Sequence, residues 1–161
     1  MKRRTILTGL SAAFLARPLA ARAVDSGRMP PTKPPPATDA EWRERLSPRA
    51  YQVLRQGETE PAFSSPLNRE TRTGTYTCAG CAQPAFSSKT KYDAHNGYPS
   101  FTAPLRKAVT TTAPLKGKRY ATVRCGRCDS HLGRLYHDGP KPTGLHYSMN
   151  GIALAFLLNS A

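Results

Sequence analysis

The sequence predicts a mainly β domain that begins with two short helices. Beyond Gly57, short runs rich in β-branched and aromatic residues alternate with clusters of glycine, proline, asparagine and serine, which is typical of strands joined by turns. Before Gly57, helix start and stop signals occur twice in succession. With 161 residues, the chain is long enough for one such domain and terminal extensions.

Residues 1–23 are expected to be an export signal. Basic residues precede an apolar stretch, Ile6 to Ala16, that is too short to cross a bilayer, and Ala21-Arg22-Ala23 resembles a signal-peptidase site. The adjacent Arg3 and Arg4 favour the twin-arginine route. This predicts a periplasmic protein with no stable membrane anchor after cleavage, and a general secretory signal or a retained anchor is the alternative.

The net charge is strongly basic but does not by itself indicate nucleic-acid binding. The chain carries a formal charge of +14, and removal of residues 1–23 takes away five basic residues and no acidic one, which leaves +9. The basic residues are scattered and no RNA-binding motif accompanies them. We therefore expect a well-solvated surface and no nucleic-acid partner, with a basic zinc module that binds nucleic acid as a minor alternative.

Residues 24–37 are expected to be a linker, because five prolines lie in the twelve residues from Ser26 to Ala37. The domain, 38–161, is expected to begin at a capping box, Thr38-Asp-Ala-Glu41. A second helix start, Ser47-Pro48, precedes a stop at Gly57. Helices are therefore predicted over about 39–46 and 48–56, with an apolar face formed by Trp42, Leu46, Tyr51 and Leu54.

Six strands are predicted after the helices. The last of them is almost wholly apolar, which is the pattern of a strand buried on both faces. The predicted strands are Thr75–Cys78, Ala108–Ala113, Arg119–Cys125, Leu132–Tyr136, Leu145–Met149 and Ile152–Leu158.

Two Cys-x-x-Cys pairs use every cysteine in the chain, and they indicate one structural zinc ion. Cys78 and Cys81 form the first pair, and Cys125 and Cys128 the second. A two-residue spacing lets a tight turn direct both thiolates at one ion, and two such turns complete a tetrahedral four-sulfur site. Two disulfides or a redox Cys-x-x-Cys are the competing interpretations. Neither pair sits where a βαβ unit would begin, which favours zinc.

Further motifs carry a resemblance to a known family. With the cysteine pairs in register, they make the chain from Trp42 to Phe156 similar to the methionine sulfoxide reductases of type B. The resemblance implies a zinc-tied antiparallel β domain that acts on methionine-R-sulfoxide in proteins and peptides, with a thioredoxin-like reductant if it is active. The motifs are Gly57–Ser64, Tyr76–Cys81, Phe86–Asp93, Gly97–Phe101, Val123–Gly133 and Asp138–Leu145.

The chemistry implied by the resemblance needs two thiols that this sequence lacks. In the family, a cysteine near the chain end attacks the sulfoxide sulfur, and the sulfenic acid that remains condenses with a second cysteine. The attacking position is Ser148 here, and the resolving position is Asn96. A serine hydroxyl is barely ionised at neutral pH and cannot form a recyclable sulfenic acid.

The same resemblance assigns the remaining pocket positions. His131 and Asn150 are retained as catalytic positions alongside Ser148. The substrate-binding positions are partly changed, because a tyrosine replaces the family tryptophan, an arginine replaces a histidine and a histidine replaces an arginine. These positions are Tyr98, Phe101, Arg134 and His146.

Three interpretations of this pocket remain open. The preferred one is a degenerate member that keeps the zinc and binds methionine-containing or methionine-sulfoxide-containing peptides without turning them over. An active reductase that uses an unexpected thiol is the second. A hydrolase that pairs Ser148 with His146 or His131 is the third, and no Gly-x-Ser-x-Gly motif supports it.

Overall fold

The computed structural model describes residues 35, 38–114 and 116–159. The predicted signal peptide and all of the predicted linker except Pro35 lie outside the described residues. Within the described part of the chain, no helix combines the length and apolar character needed to span a membrane.

Two helices open the domain, as predicted. Helix α1 spans Asp39–Arg45, and its capping box is formed by the Thr38 hydroxyl and the Glu41 carboxylate. Helix α2 spans Pro48–Gln56, begins at a Ser47 cap and ends at Gly57, which adopts a left-handed conformation with φ of 78°. The apolar residues predicted for these helices face the core, and Trp42, Tyr51 and Leu54 are buried.

In the described part of the chain, nine short strands form two antiparallel sheets. The smaller sheet has the order β2-β1-β9, and the larger has the order β3-β4-β8-β7-β6-β5. Among the described residues, one short 3-10 helix, Pro66–Arg69, lies between α2 and the first strand, and two more, Ser88–Thr90 and Gly151–Ala153, lie between strands. The strands are β1 Gly74–Cys78, β2 Pro84–Ser87, β3 Lys91–Tyr92, β4 Ser100–Phe101, β5 Val109–Thr112, β6 Ala121–Cys125, β7 His131–Tyr136, β8 His146–Met149 and β9 Leu154–Leu158.

An aromatic cluster joins the two sheets. Tyr76 of β1 meets Phe101 of β4 edge-on, with ring centroids 4.9 Å apart. Phe86 of β2 stacks on the same Phe101 at 4.5 Å and also approaches Tyr147 of β8. The first three of these rings are fully buried and Tyr147 is nearly so. Burial of large aromatic side chains is a major source of stability in a domain of this size.

The last predicted strand differs from the structure at its start and in its burial. Ile152 and Ala153 belong to a 3-10 helix, and β9 begins only at Leu154. Strand β9 lies at the edge of the smaller sheet and pairs with β1 alone among the described strands, so Leu158 remains 45% exposed. The expectation of burial on both faces was wrong because an apolar sequence does not distinguish an edge strand from a central one.

Candidate functional site

The four cysteines lie together at the junction of the two sheets. Cys78 ends β1 and Cys125 ends β6, and the second cysteine of each pair follows in the adjoining turn. The sulfur atoms of Cys78 and Cys128 are 3.7 Å apart, as are those of Cys81 and Cys125. All four sulfurs lie within 4.8 Å of one another and all four residues are buried.

This geometry fits one tetrahedral metal ion. Four sulfurs at about 2.3 Å from a common centre are separated by about 3.8 Å, close to the distances across the cluster. A disulfide would bring two sulfurs to about 2.05 Å, and all four cysteines are free of such bonds. The structure therefore does not contain the two disulfides of the competing interpretation.

A cavity of about 410 Å³ opens on one face of the larger sheet. Strands β7 and β8 contribute Arg134 and Ser148, which are direct cross-strand partners and share a face. The strands approach closely because position 133 is glycine, where a Cβ atom would lie 2.3 Å from the Ser148 carbonyl oxygen. The cavity is also lined by Thr59, Tyr92, Asn96, Tyr98, Tyr136, Asp138, His146 and Asn150.

A chain of hydrogen bonds crosses the floor of this cavity. The Asn96 amide nitrogen lies 3.1 Å from Ser148 Oγ, to which it donates, and 3.3 Å from His146 Nε2. His146 Nδ1 lies 2.9 Å from a carboxylate oxygen of Asp138. His146 Nε2 also lies 3.1 Å from the hydroxyl of Ser100, which is fully buried.

Asn150 and Glu60 hold the wall beside Ser148. The Asn150 side chain accepts a bond from the Glu60 amide at 3.0 Å and donates to the Leu132 carbonyl at 3.2 Å. The buried Glu60 carboxylate accepts bonds from the amides of Gly151 and Ile152. Both polar atoms of Asn150 are thus engaged with backbone, which makes it a support for the wall.

Arg134 and the tyrosines surround the cavity with hydrogen-bond donors. The Arg134 guanidinium donates to Thr59 Oγ1 at 3.0 Å and lies over the Tyr120 ring. The Tyr98 hydroxyl donates to the Glu60 carbonyl at 2.9 Å. Burial raises the pKa of Tyr98, and burial together with the Asp138 carboxylate raises that of Tyr92, so both phenols stay protonated at neutral pH.

The sequence from residue 46 to residue 158 matches the family model described as "SelR domain". The chain is also 41% identical over 121 residues to "Peptide methionine sulfoxide reductase MsrB" of Agrobacterium fabrum, a match that covers 74% of this chain and 90% of that relative. This chain belongs to the methionine sulfoxide reductase B family.

Other relatives agree with the assignment to the methionine sulfoxide reductase B family. The protein of the same name from Pseudomonas putida strain W619 is 44% identical over 118 residues, with 72% of this chain and 89% of that one covered. That of Thioalkalivibrio sulfidiphilus is 44% identical over 128 residues, with coverages of 77% and 92%. Among solved structures, the Mis18 "Yippee-like" domain has a TM-score of 0.46 at 17% identity, over 56% of this chain and 100% of that one.

Within this methionine sulfoxide reductase B fold, five of the seven residues predicted for the pocket line one cavity. The five are Tyr98, Arg134, His146, Ser148 and Asn150. His131 and Phe101 lie elsewhere. His131 is 5% exposed and its ring nitrogen Nδ1 contacts the Val53 carbonyl of α2 at 3.2 Å, while Phe101 is fully buried in the aromatic cluster.

Local strand geometry accounts for the positions of His131 and Phe101. His131 begins β7 at a register shift in the β6–β7 pairing, and its ring packs toward α2, where Nδ1 lies 3.2 Å from the Val53 carbonyl oxygen. Phe101 pairs with Tyr147, whereas Ser100 pairs with Ser148, so Phe101 faces the core rather than the cavity. Neither His131 nor Phe101 is therefore among the residues that line this cavity.

Several lining residues were missed from the sequence. Thr59, Tyr92, Tyr136 and Asp138 line the cavity, although no motif-based role was given to them. A signal was present for Tyr136, because it lies two residues after Arg134 on the same strand and so shares its face. Thr59 and Tyr92 reach the cavity only through the tertiary fold.

Proposed function

We propose that this chain is a degenerate methionine sulfoxide reductase B that binds methionine or methionine-sulfoxide side chains of proteins and does not reduce them. The observation that carries the proposal is the position of Ser148 in the cavity while all four cysteines of the chain are gathered in one buried cluster. Reduction by this family's chemistry needs a thiol at the sulfoxide. A thioredoxin-like reductant would have no disulfide to act on.

The contacts of Ser148 support binding rather than a new hydrolysis reaction. A serine nucleophile needs a base within hydrogen-bond reach. Here the Asn96 amide bridges Ser148 Oγ and His146 Nε2, and the hydroxyl that contacts His146 Nε2 belongs to the buried Ser100. The side chain oriented by Asp138 is therefore not placed to take the Ser148 proton.

The metal is proposed to be zinc, held by Cys78, Cys81, Cys125 and Cys128. Zinc favours four thiolates in a tetrahedral arrangement and has no redox chemistry of its own. When bound, the ion supplies structural cross-linking and keeps the thiolates from other reactions. Arg55 supports the second pair by donating to the Cys128 carbonyl at 3.2 Å.

Turnover of a methionine-R-sulfoxide peptide with dithiothreitol tests the proposed function. Unmodified protein is expected to show no reduction above background. Ser148→Cys is expected to restore weak activity and Ser148→Ala none, because only the first supplies a thiol at the cavity. The restored activity should stay weak, since a missing proton donor alone commonly costs about 100-fold or more. Robust turnover by the unmodified chain with its metal fully bound would overturn the proposal and indicate an unexpected thiol.

We further propose export by the twin-arginine route, with the mature chain beginning near Val24. The support is the Arg3-Arg4 pair ahead of a short apolar stretch and the Ala21-Arg22-Ala23 site. The double variant Arg3→Lys, Arg4→Lys should leave the uncleaved precursor in the cytoplasm when fractions are compared by immunoblot. Normal accumulation of mature protein in the periplasm would show that the general secretory route is used.

A further inference from the structure

The orientation of the Asn96 amide is fixed by a backbone donor. Its oxygen accepts the amide N–H of Tyr98 at 3.0 Å, and a backbone N–H can only donate. The amide nitrogen must therefore face the other way, toward Ser148 and His146. Asn96 also sits in a tightly held turn, because Gly97 has a φ of 81° and a Cβ there would lie 2.6 Å from the Phe63 amide nitrogen.

Asp138 fixes the state of the other partner, His146. The Asp138 carboxylate accepts hydrogen bonds and does not donate them at neutral pH, so the ring proton of the neutral imidazole resides on Nδ1. Nε2 then presents one lone pair. Because the nearby Ser100 hydroxyl donates to the Tyr98 carbonyl at 3.1 Å, this lone pair accepts one hydrogen of the Asn96 amide. The second hydrogen of that amide goes to Ser148 Oγ.

The hydroxyl proton of Ser148 has no acceptor among the described residues in the floor of the cavity. The Ser148 oxygen accepts from Asn96, and no other hydrogen bond of this hydroxyl occurs among the described residues. Arg134, its cross-strand partner, adds a guanidinium donor on the same face. The two side chains together present donors to whatever enters the cavity beside them.

We propose that Ser148 acts as a hydrogen-bond donor that makes the cavity select oxidised over reduced methionine, and that Asn96 is the residue that directs the hydroxyl. A sulfoxide or sulfone oxygen is a good acceptor, whereas a thioether sulfur is a weak one. With a hydroxyl in place of the thiol, the position that attacks the sulfoxide sulfur in the family binds the sulfoxide oxygen here. This inference rests on the proposed binding function and deepens it.

Binding of three matched peptides tests the selectivity. The probes are acetylated, amidated peptides that contain methionine, methionine-R-sulfoxide or methionine sulfone at one position, titrated into the protein and followed by NMR. The sulfone keeps the acceptor oxygens and is not a substrate for sulfoxide reduction, so it separates binding from turnover. One neutral hydrogen bond contributes on the order of a five- to tenfold change in affinity. The unmodified protein should therefore prefer both oxidised peptides by at least about fivefold.

Two variants and their combination test the assigned roles. Ser148→Ala removes the donor and should lower the preference for the oxidised peptides to near onefold. In Asn96→Asp, the side chain keeps nearly the same shape and still accepts the Tyr98 amide N–H. Its second carboxylate oxygen accepts a hydrogen bond from the Ser148 hydroxyl, so the Ser148 proton points away from the cavity. This variant should lower the preference to a similar extent. In Ser148→Ala, the added Asn96→Asp change should have little further effect on the preference, because no hydroxyl remains to direct.

Each outcome separates this inference from the proposed function. Equal binding of oxidised and reduced peptides by the unmodified protein, or a preference that survives Ser148→Ala, would overturn the donor role while the binding function stands. An Asn96→Asp effect as large in the Ser148→Ala background as in the unmodified protein would refute the directing role. Failure of all three peptides to bind would overturn both proposals together. Unfolding midpoints measured for each variant show that it is folded.

Discussion

At the scale of single residues, His131 is a support for helix α2 rather than part of the cavity. Its Nδ1 donates to the carbonyl of Val53, one of the last-turn carbonyls of α2 that lack a partner in a regular helix. Burial is the main cause that lowers the pKa of His131, because the charged ring is poorly solvated there. The neutral form is therefore the one that the fold selects.

The protonation of His131 predicts a pH dependence of stability. Folding lowers the pKa of His131 below its value of about 6.5 in the unfolded chain. Such a histidine favours the native state above about pH 6.5, and this contribution to stability is lost as the pH falls from about 6.5 through the pKa of the folded state. Between pH 7 and pH 5, the free energy of unfolding should fall more steeply for the unmodified protein than for His131→Gln. Denaturant unfolding at each pH measures this. His95→Gln, at an exposed histidine, should keep the original slope, and equal slopes in all three proteins would contradict the prediction.

At the scale of elements, local signals predicted the helices well. The capping box at Thr38, the proline at Pro48 and the left-handed Gly57 are each set by neighbouring residues, so the sequence specified both ends of each helix to within a residue. The longer strands were also found. Strands β3 and β4 were missed because they have only two residues each, and β2 was missed because it begins with Pro84, which signals a turn rather than a strand.

The set of residues that line the cavity depends on strand register. Register is fixed by pairing between strands that are distant in sequence, so local patterns did not predict it. Ser148 faces Ser100 on one side and Arg134 on the other because of how β4, β7 and β8 pair. The contact between Glu60 and the Asn150 side chain joins residues 90 positions apart. Similarity to the family located the strand-borne positions, but it did not show that the His131 ring packs against α2 while Arg134 lines the cavity.

At the scale of the whole molecule, the cysteine cluster joins the two sheets. Cys78 ends a strand of the smaller sheet, and Cys125 ends a strand of the larger one. The aromatic cluster also bridges the sheets, through Tyr76, Phe86 and Phe101. Because the chain between the cysteine pairs includes the Asn96 turn and β4, a loosened cluster should affect the cavity as well as the core.

Removal of the metal ion is expected to destabilise the whole domain. Purified protein is expected to contain one zinc ion per chain by elemental analysis, since four thiolates complete one tetrahedral site. Removal of the ion leaves four buried thiols without a common partner, and structural zinc sites contribute directly to folding free energy. Chelation, or Cys125→Ser, should therefore lower the thermal midpoint sharply and abolish peptide binding, while Ser64→Ala on the surface should change neither. A metal-free protein with an unchanged midpoint and four readily alkylated thiols would show that the two sheets are held together without a metal ion.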